Sequence, residues 1–188
     1  MWYFLESKIN KKETYIELNG SYDKLTAYFF SNIENEKDVN NMKFSGIAQK
    51  GFTYKLLSQT DYFVNARFGG IPIFSERFMK KTSQYLSDKI DFHLCKILLN
   101  EKSCNFYLGK IKHILPIIDY EKSGYRQLAN GHKILSEPTI IKEDVDEKLL
   151  IIRDSTYKSI FVVSDLFKQI IEKEKLKIGF YDTTKTFW

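Results

Sequence analysis

Two stretches of this chain share one grammar, and that grammar limits the fold more than anything else in the sequence. Ile71 to Phe78 reads IPIFSERF and Ile160 to Phe167 reads IFVVSDLF: strand-like apolar residues, a serine, an acid, one further residue and a phenylalanine. A serine at such a junction can act as an N-cap, its hydroxyl accepting from the free amides of the first turn, while Glu76 places negative charge at the positive end of the helix dipole. Beyond Ser75, Phe78, Met79, Tyr85 and Leu86 recur on one helical face, with Lys80, Lys81, Gln84 and Asp88 on the other. Beyond Ser164, Leu166, Phe167, Ile170 and Ile171 do the same. The sequence thus predicts two principal helices, over about 75–87 and 164–175. Pro72 cannot donate to a ladder, so the strand before the first helix lies at an edge or begins just there. Ile90-Asp91-Phe92 and Ile178-Gly179-Phe180 follow their serines at nearly equal spacing, which suggests two strand-helix-strand units side by side. Coincidence is the alternative, because a serine before an acid is the commonest way to start a helix.

The rest of the chain is consistent with a single α+β domain over 1–188 with a mainly antiparallel mixed sheet. Residues 1–60 are expected to give variable N-terminal strands and a helix, and 61–188 the core. At 188 residues, with 43% hydrophobic content, the chain can bury roughly 70% of its unfolded surface. No apolar run approaches the ~18 residues needed to span a bilayer, and the N-terminus reads as a strand and not an export signal, so the cytoplasm is the expected compartment. Cys95 and Cys104 flank a predicted hairpin turn and read as reduced core residues.

Taken in order, Trp2 to Leu5 and Tyr15 to Leu18 suit strands, and Asn19-Gly20 a turn. Tyr22, Leu25, Phe29 and Ile33 have helical spacing, although Tyr28-Phe29-Phe30 would suit a strand equally. Glu34 to Asn41 reads as a surface loop, and Phe44 to Phe63 as a hairpin. Ile90, Phe92 and Leu94 form one strand face, Asn100 to Ser103 the turn, and Phe106 and Leu108 the return strand. Gly109 shifts the alternation, which predicts a bulge, and Pro116 ends the strand. Asp119 to Gly131 reads as an irregular polar loop. Leu149 to Ile152 reads as a central strand covered on both faces, beside Ile160 to Val163.

The sequence carries no catalytic motif, and the predicted catalytic, cofactor and metal residues are none. His93, His113 and His132 lack ligand spacing. Ser75 and Ser164 are accounted for by capping, outside any glycine-flanked nucleophile elbow. Phe68-Gly69-Gly70-Ile71 lacks the lysine and following helix of a phosphate loop. The net charge of +5, from 29 basic and 24 acidic residues, is carried by scattered lysine and not by the clustered arginine of a nucleic-acid footprint. The exception to the basic balance is Glu143-Asp144-Val145-Asp146-Glu147-Lys148, four acids and one base, which is either a solvated turn or a docking patch for a cationic protein.

At Asp61-Tyr62-Phe63, Ile71-Pro72-Ile73-Phe74-Ser75-Glu76-Arg77-Phe78, Ile118 to Ser123, Phe161 to Leu166 and Leu176 to Phe180, the chain resembles a bacterial family of immunity domains of polymorphic toxin systems. The likeness runs from about Trp2 to Asp182, and the Pro-x-Phe-Ser-Glu-Arg element is its most distinctive part. The N-terminal third departs from the family pattern. The resemblance implies a non-enzymatic cytoplasmic protein that binds a cognate protein toxin and covers its active surface; no cofactor or membrane is expected, and nucleic acid is the less favoured partner. The surface candidates for that contact are Glu143, Asp144, Asp146 and Glu147 in the acidic run, Asp119, Glu121 and Arg126 in the loop before it, and the asparagine-rich loop after Glu34. A nucleic-acid-binding module and a small enzyme, with Asp119, Glu121 and His113 as its testable groups, are the alternatives.

Overall fold

The computed structural model describes residues 1–9, 16–31, 43–49, 52–65 and 70–186. Its elements are β1 (Trp2–Ser7), β2 (Ile16–Leu18), α1 (Tyr22–Phe29), β3 (Phe44–Ala48), α2 (Tyr54–Leu57), β4 (Tyr62–Phe63), β5 (Ile73–Ser75) and α3 (Glu76–Leu86). They continue with β6 (Ile90–Leu99), β7 (Lys102–Ile111), β8 (Ile114–Leu115), β9 (Gly124–Gln127), β10 (Lys133–Ser136), a 3-10 turn (Glu147–Leu149), β11 (Ile151–Asp154), β12 (Phe161–Ser164), α4 (Asp165–Lys173) and β13 (Ile178–Asp182). The protein is α+β. Three sheets run in the orders β13-β1-β12-β11-β8, β2-β3-β6-β7-β5-β4 and β10-β9. Among the described residues the strand pairings are antiparallel except β3 with β6 and β8 with β11, and Ile16 and Asn65 form a single parallel bridge.

Both serines cap as their sequence context requires. The Phe78 amide donates to Ser75 Oγ (3.0 Å) and the Phe167 amide to Ser164 Oγ (3.3 Å). Each capped helix then buries a phenylalanine and a residue four positions on, Phe78 with Thr82 and Phe167 with Ile171. The two units share a topology that the sequence does not announce. β5 and β6 both lie antiparallel to β7, and β12 and β13 both lie antiparallel to β1. In each unit, then, the helix carries the chain over one inserted strand to a parallel partner.

These two units build one core, which includes Phe74, Phe78, Leu86, Ile90 and Ile111 from the first and Tyr3, Val163, Phe167, Ile171 and Ile178 from the second. Asp61 rivets them together. Its carboxylate, 1% exposed, accepts from Ser75 Oγ (2.5 Å), from Arg77 Nε (2.9 Å) and Nη2 (2.7 Å), and from the Lys177 amide (2.7 Å) just before β13. The opposite face of the six-stranded sheet curls around a second core containing Ile16, Phe29, Phe63, Ile73, Ile97 and Phe106. The curl brings its two edges together, where the Ile16 amide donates to Val64 O (3.2 Å). A third core, Trp2, Ile152 and Val162 with Ile117 and Ile118, lies under the segment that follows β8.

Several expectations require correction. Gly109 is no bulge: β6 and β7 pair without interruption from Ile90–Ile111 to Leu99–Lys102. The alternation is lost there because α3 covers the second face of the sheet, so that Leu108, Gly109, Lys110 and Ile111 are all buried. The residue is glycine because a Cβ would come within 3.0 Å of the Phe74 ring and 3.1 Å of Pro72. Among the described residues of 44–63 there is no hairpin. β3 pairs with β2 and β6, and Tyr54, Leu56 and Leu57 lie on the short helix α2, started by Thr53 Oγ1 accepting from the Leu56 amide (3.2 Å). The polar stretch Asp119 to Gly131 is partly ordered as β9, which pairs with β10. Pro72, by contrast, does as one of its two expected alternatives requires: β5 begins at Ile73, just after the proline, and lies between β7 and β4.

The hairpin turn itself is tighter than expected. Asn100 and Glu101 both take positive φ, 44° and 70°, the backbone of a two-residue primed turn. α1 is a helix through Phe29, which resolves the ambiguity of the Tyr28-Phe29-Phe30 run. β11 is internal, paired with β12, and buried throughout. Ile33 and the loop Glu34 to Asn41 lie outside the described residues.

Candidate partner-binding surface

Beyond β8 the chain leaves the sheet and covers its outer face. The Asp119 amide donates to Ile140 O (2.9 Å) and the Lys142 amide to Ile117 O (2.9 Å), forming a two-stranded strip above Ile152 and Val162. A buried carboxylate holds this strip in place. Asp154 accepts from the amides of Ile117 (3.2 Å) and Ile118 (3.4 Å) through Oδ2, and from the Tyr120 hydroxyl (2.6 Å) and the amides of Thr156 (2.9 Å) and Tyr157 (2.7 Å) through Oδ1. Burial, with the hydrogen bond to Asp154, pushes the Tyr120 hydroxyl up to about 12. Arg153 beside it is fully buried, with its guanidinium 4.5 Å from the Phe30 ring and Nη2 donating to Gly70 O (2.7 Å).

At the far end of the strip the acidic run forms one wall of a groove. Leu115, Pro116, Ile117, Val145 and Leu149 give it apolar surface, Lys142, Asp144 and Asp146 give it charge, and its volume is about 350 Å³. Leu115 is 42% exposed, on the two-residue edge strand β8.

The seven predicted contact residues divide by what each already holds. Asp146 Oδ1 accepts from the Lys148 amide (2.9 Å) and starts the 3-10 turn. Glu147 accepts from the amino group of Met1. Asp119 Oδ1 accepts from the amides of Glu121 (3.2 Å) and Lys122 (3.1 Å), and those bonds hold its carboxyl below the usual range. Glu143, Asp144, Glu121 and Arg126 are exposed, and their side chains make no hydrogen bond or ion pair among the described residues. Only Asp144 and Asp146 of the seven line the groove; Glu121 and Arg126 lie beyond the other end of the strip.

The remaining candidates have structural partners. Ser75 and Ser164 hold helix amides, as described above. His93 Nε2 lies 3.0 Å from the Tyr28 hydroxyl inside a ring cluster with Phe29 and Phe44. His113 follows β7, and its carbonyl accepts from the Arg153 amide (2.9 Å). Cys95 and Cys104 are free thiols, set two residues out of register across β6 and β7. Burial pushes the Cys95 thiol up to about 12. Among the described residues no group of three or more His, Cys, Asp or Glu is placed to hold a metal ion, and no helix is long and apolar enough to cross a membrane.

Sequence reasoning missed Asp61 and Asp154, the two buried carboxylates on which the sheet junction and the strip depend. The one signal for them is position: each stands beside a strand's apolar residues, where a charge needs several donors to be tolerated. No family model matches the chain, and no curated protein matches it.

Proposed function

We propose that this chain is a cytoplasmic immunity protein that neutralises a protein toxin by binding it and covering its working surface, without chemistry of its own. One observation carries the reading. Glu143 and Asp144 are exposed and unpaired beside an apolar groove, on a chain whose net charge is +5. Unpaired carboxylates around apolar surface speed encounter with a cationic protein and orient it, while the apolar part supplies affinity. The likeness of IPIFSERF and its companion segments to immunity domains supports the same class of function.

The test is co-expression with a candidate toxin sought among the genes adjacent to this one, scoring growth and recovery of a complex. Restored growth with a stoichiometric complex is the expected result. Unrelieved killing with no complex overturns the reading, and steeply salt-dependent binding to DNA or RNA with no protein partner would replace it with a nucleic-acid-binding module.

A further inference from the structure

Resting on that reading, we infer that the groove between Leu115–Ile117 and Lys142–Leu149 takes a basic polypeptide segment that seats one apolar side chain between Leu115 and Val145. The shape sets the size of the guest. About 350 Å³ falls at the low end of the ~300–1,000 Å³ typical of ligand pockets. That is room for a single side chain and its flanking backbone. The lining sets its chemistry, because Leu115, Pro116, Ile117, Val145 and Leu149 reward apolar contact.

Charge sets the flanks. Asp144 lies on the groove with its carboxylate unpaired, and Glu143 extends the negative field beside it. Asp146, although it caps the 3-10 turn through Oδ1, adds its charge to the same wall. Lys142 lines the groove too, and it repels a basic residue placed near it. The partner's positive charge is therefore drawn to the Asp144 and Asp146 side. The groove is well held, since the Ile117 amide is fixed by Asp154 and the Ile117 carbonyl by the Lys142 amide. Leu115 stands at the open edge of β8, where Pro116 has no amide to offer an added strand. Recognition here is through side chains, not through extension of the sheet.

The test uses the full chain, isotope-labelled for NMR, and three synthetic pentapeptides: Lys-Lys-Phe-Lys-Lys, Lys-Lys-Gly-Lys-Lys and Glu-Glu-Phe-Glu-Glu, each blocked at both ends. The first is expected to shift the amides of residues 115, 117 and 142–149 in a saturable way. The glycine peptide should bind about tenfold more weakly and the acidic peptide should leave those amides unmoved. Leu115→Ser and Asp144→Lys, both at exposed positions, should each weaken the first peptide by about tenfold. Equal shifts with the glycine peptide, or shifts centred elsewhere on the molecule, would overturn the inference. The functional reading is scored separately. If the two variants still protect a cell from the toxin as the parent chain does, the groove assignment fails while immunity stands.

Discussion

Phe78 and Phe167, each the third residue after a capping serine, pack on each other with ring centroids 6.3 Å apart. Seven residues further along each unit, the Tyr85 hydroxyl donates to Glu174 Oε1 (3.3 Å). Equivalent positions of the two units therefore face one another twice, so α3 and α4 run in the same direction and in register. The shared core is organised about that pair. Phe78→Ala or Phe167→Ala should each cost about 3–5 kcal/mol. The double variant should cost less than the sum, because each cavity opens onto the other. Urea unfolding of the four proteins checks this, and strict additivity would show that the rings do not share a site.

The two caps should not be equal. Ser164 Oγ accepts from the Phe167 amide, whereas Ser75 Oγ accepts from the Phe78 amide and also donates to the buried Asp61 carboxylate. Ser164→Ala should cost about 1 kcal/mol, the ordinary loss of a cap. Ser75→Ala should cost about 2–3 kcal/mol, since it also removes a bond to a charged group. Equal losses in urea melts would remove Asp61 from its place as the rivet between the units.

Asp154→Asn should loosen the strip and not the sheet. The carboxylate takes five donors, and an amide in its place offers one acceptor oxygen and presents an NH2 group to the others. Hydrogen exchange should quicken at Ile117, Ile118 and Tyr157 while the amides of β12 keep their protection. Uniform loss across both would mean that the strip has no independent support.

Acid should destabilise the fold through His93. Burial against Tyr28, Phe29 and Phe44 lowers its pKa; Asp91 opposes that shift and Lys110 adds to it. The unfolded chain then takes up this proton near pH ~6.5, before the folded chain does. Stability from this group is present above that pH and is lost as pH falls towards the folded pKa. His113, lowered chiefly by its own burial, contributes in the same direction. His93→Gln should flatten the fall in the urea midpoint between about pH 7 and 5.5 without abolishing it. An unchanged slope would contradict this assignment.

What could be read in the sequence was local. Ser75 and Ser164 announce their helices because a cap, an acid and a periodic apolar face all lie within a few residues of one another. The insertion of β7 and β1 into the two units was not legible, since strand order depends on pairings such as Tyr3 with Asp182, far apart in the chain. Gly109 looked like a bulge because alternation was judged for a sheet covered on one face, and α3 covers the other. In the acidic run, composition marked four carboxylates as alike. Geometry assigns Asp146 to a turn and Glu147 to the Met1 amino group, and leaves Glu143 and Asp144 free.

The central claim is that those free carboxylates bring a cationic partner to the groove. The most direct test is the association rate with a toxin that this chain is found to neutralise in the co-expression experiment, followed by stopped flow as salt is raised. The account predicts that the rate falls steeply with ionic strength, and that Glu143→Lys with Asp144→Lys slows it by about tenfold or more at low salt while the dissociation rate changes little. A rate indifferent both to salt and to that charge reversal would contradict it.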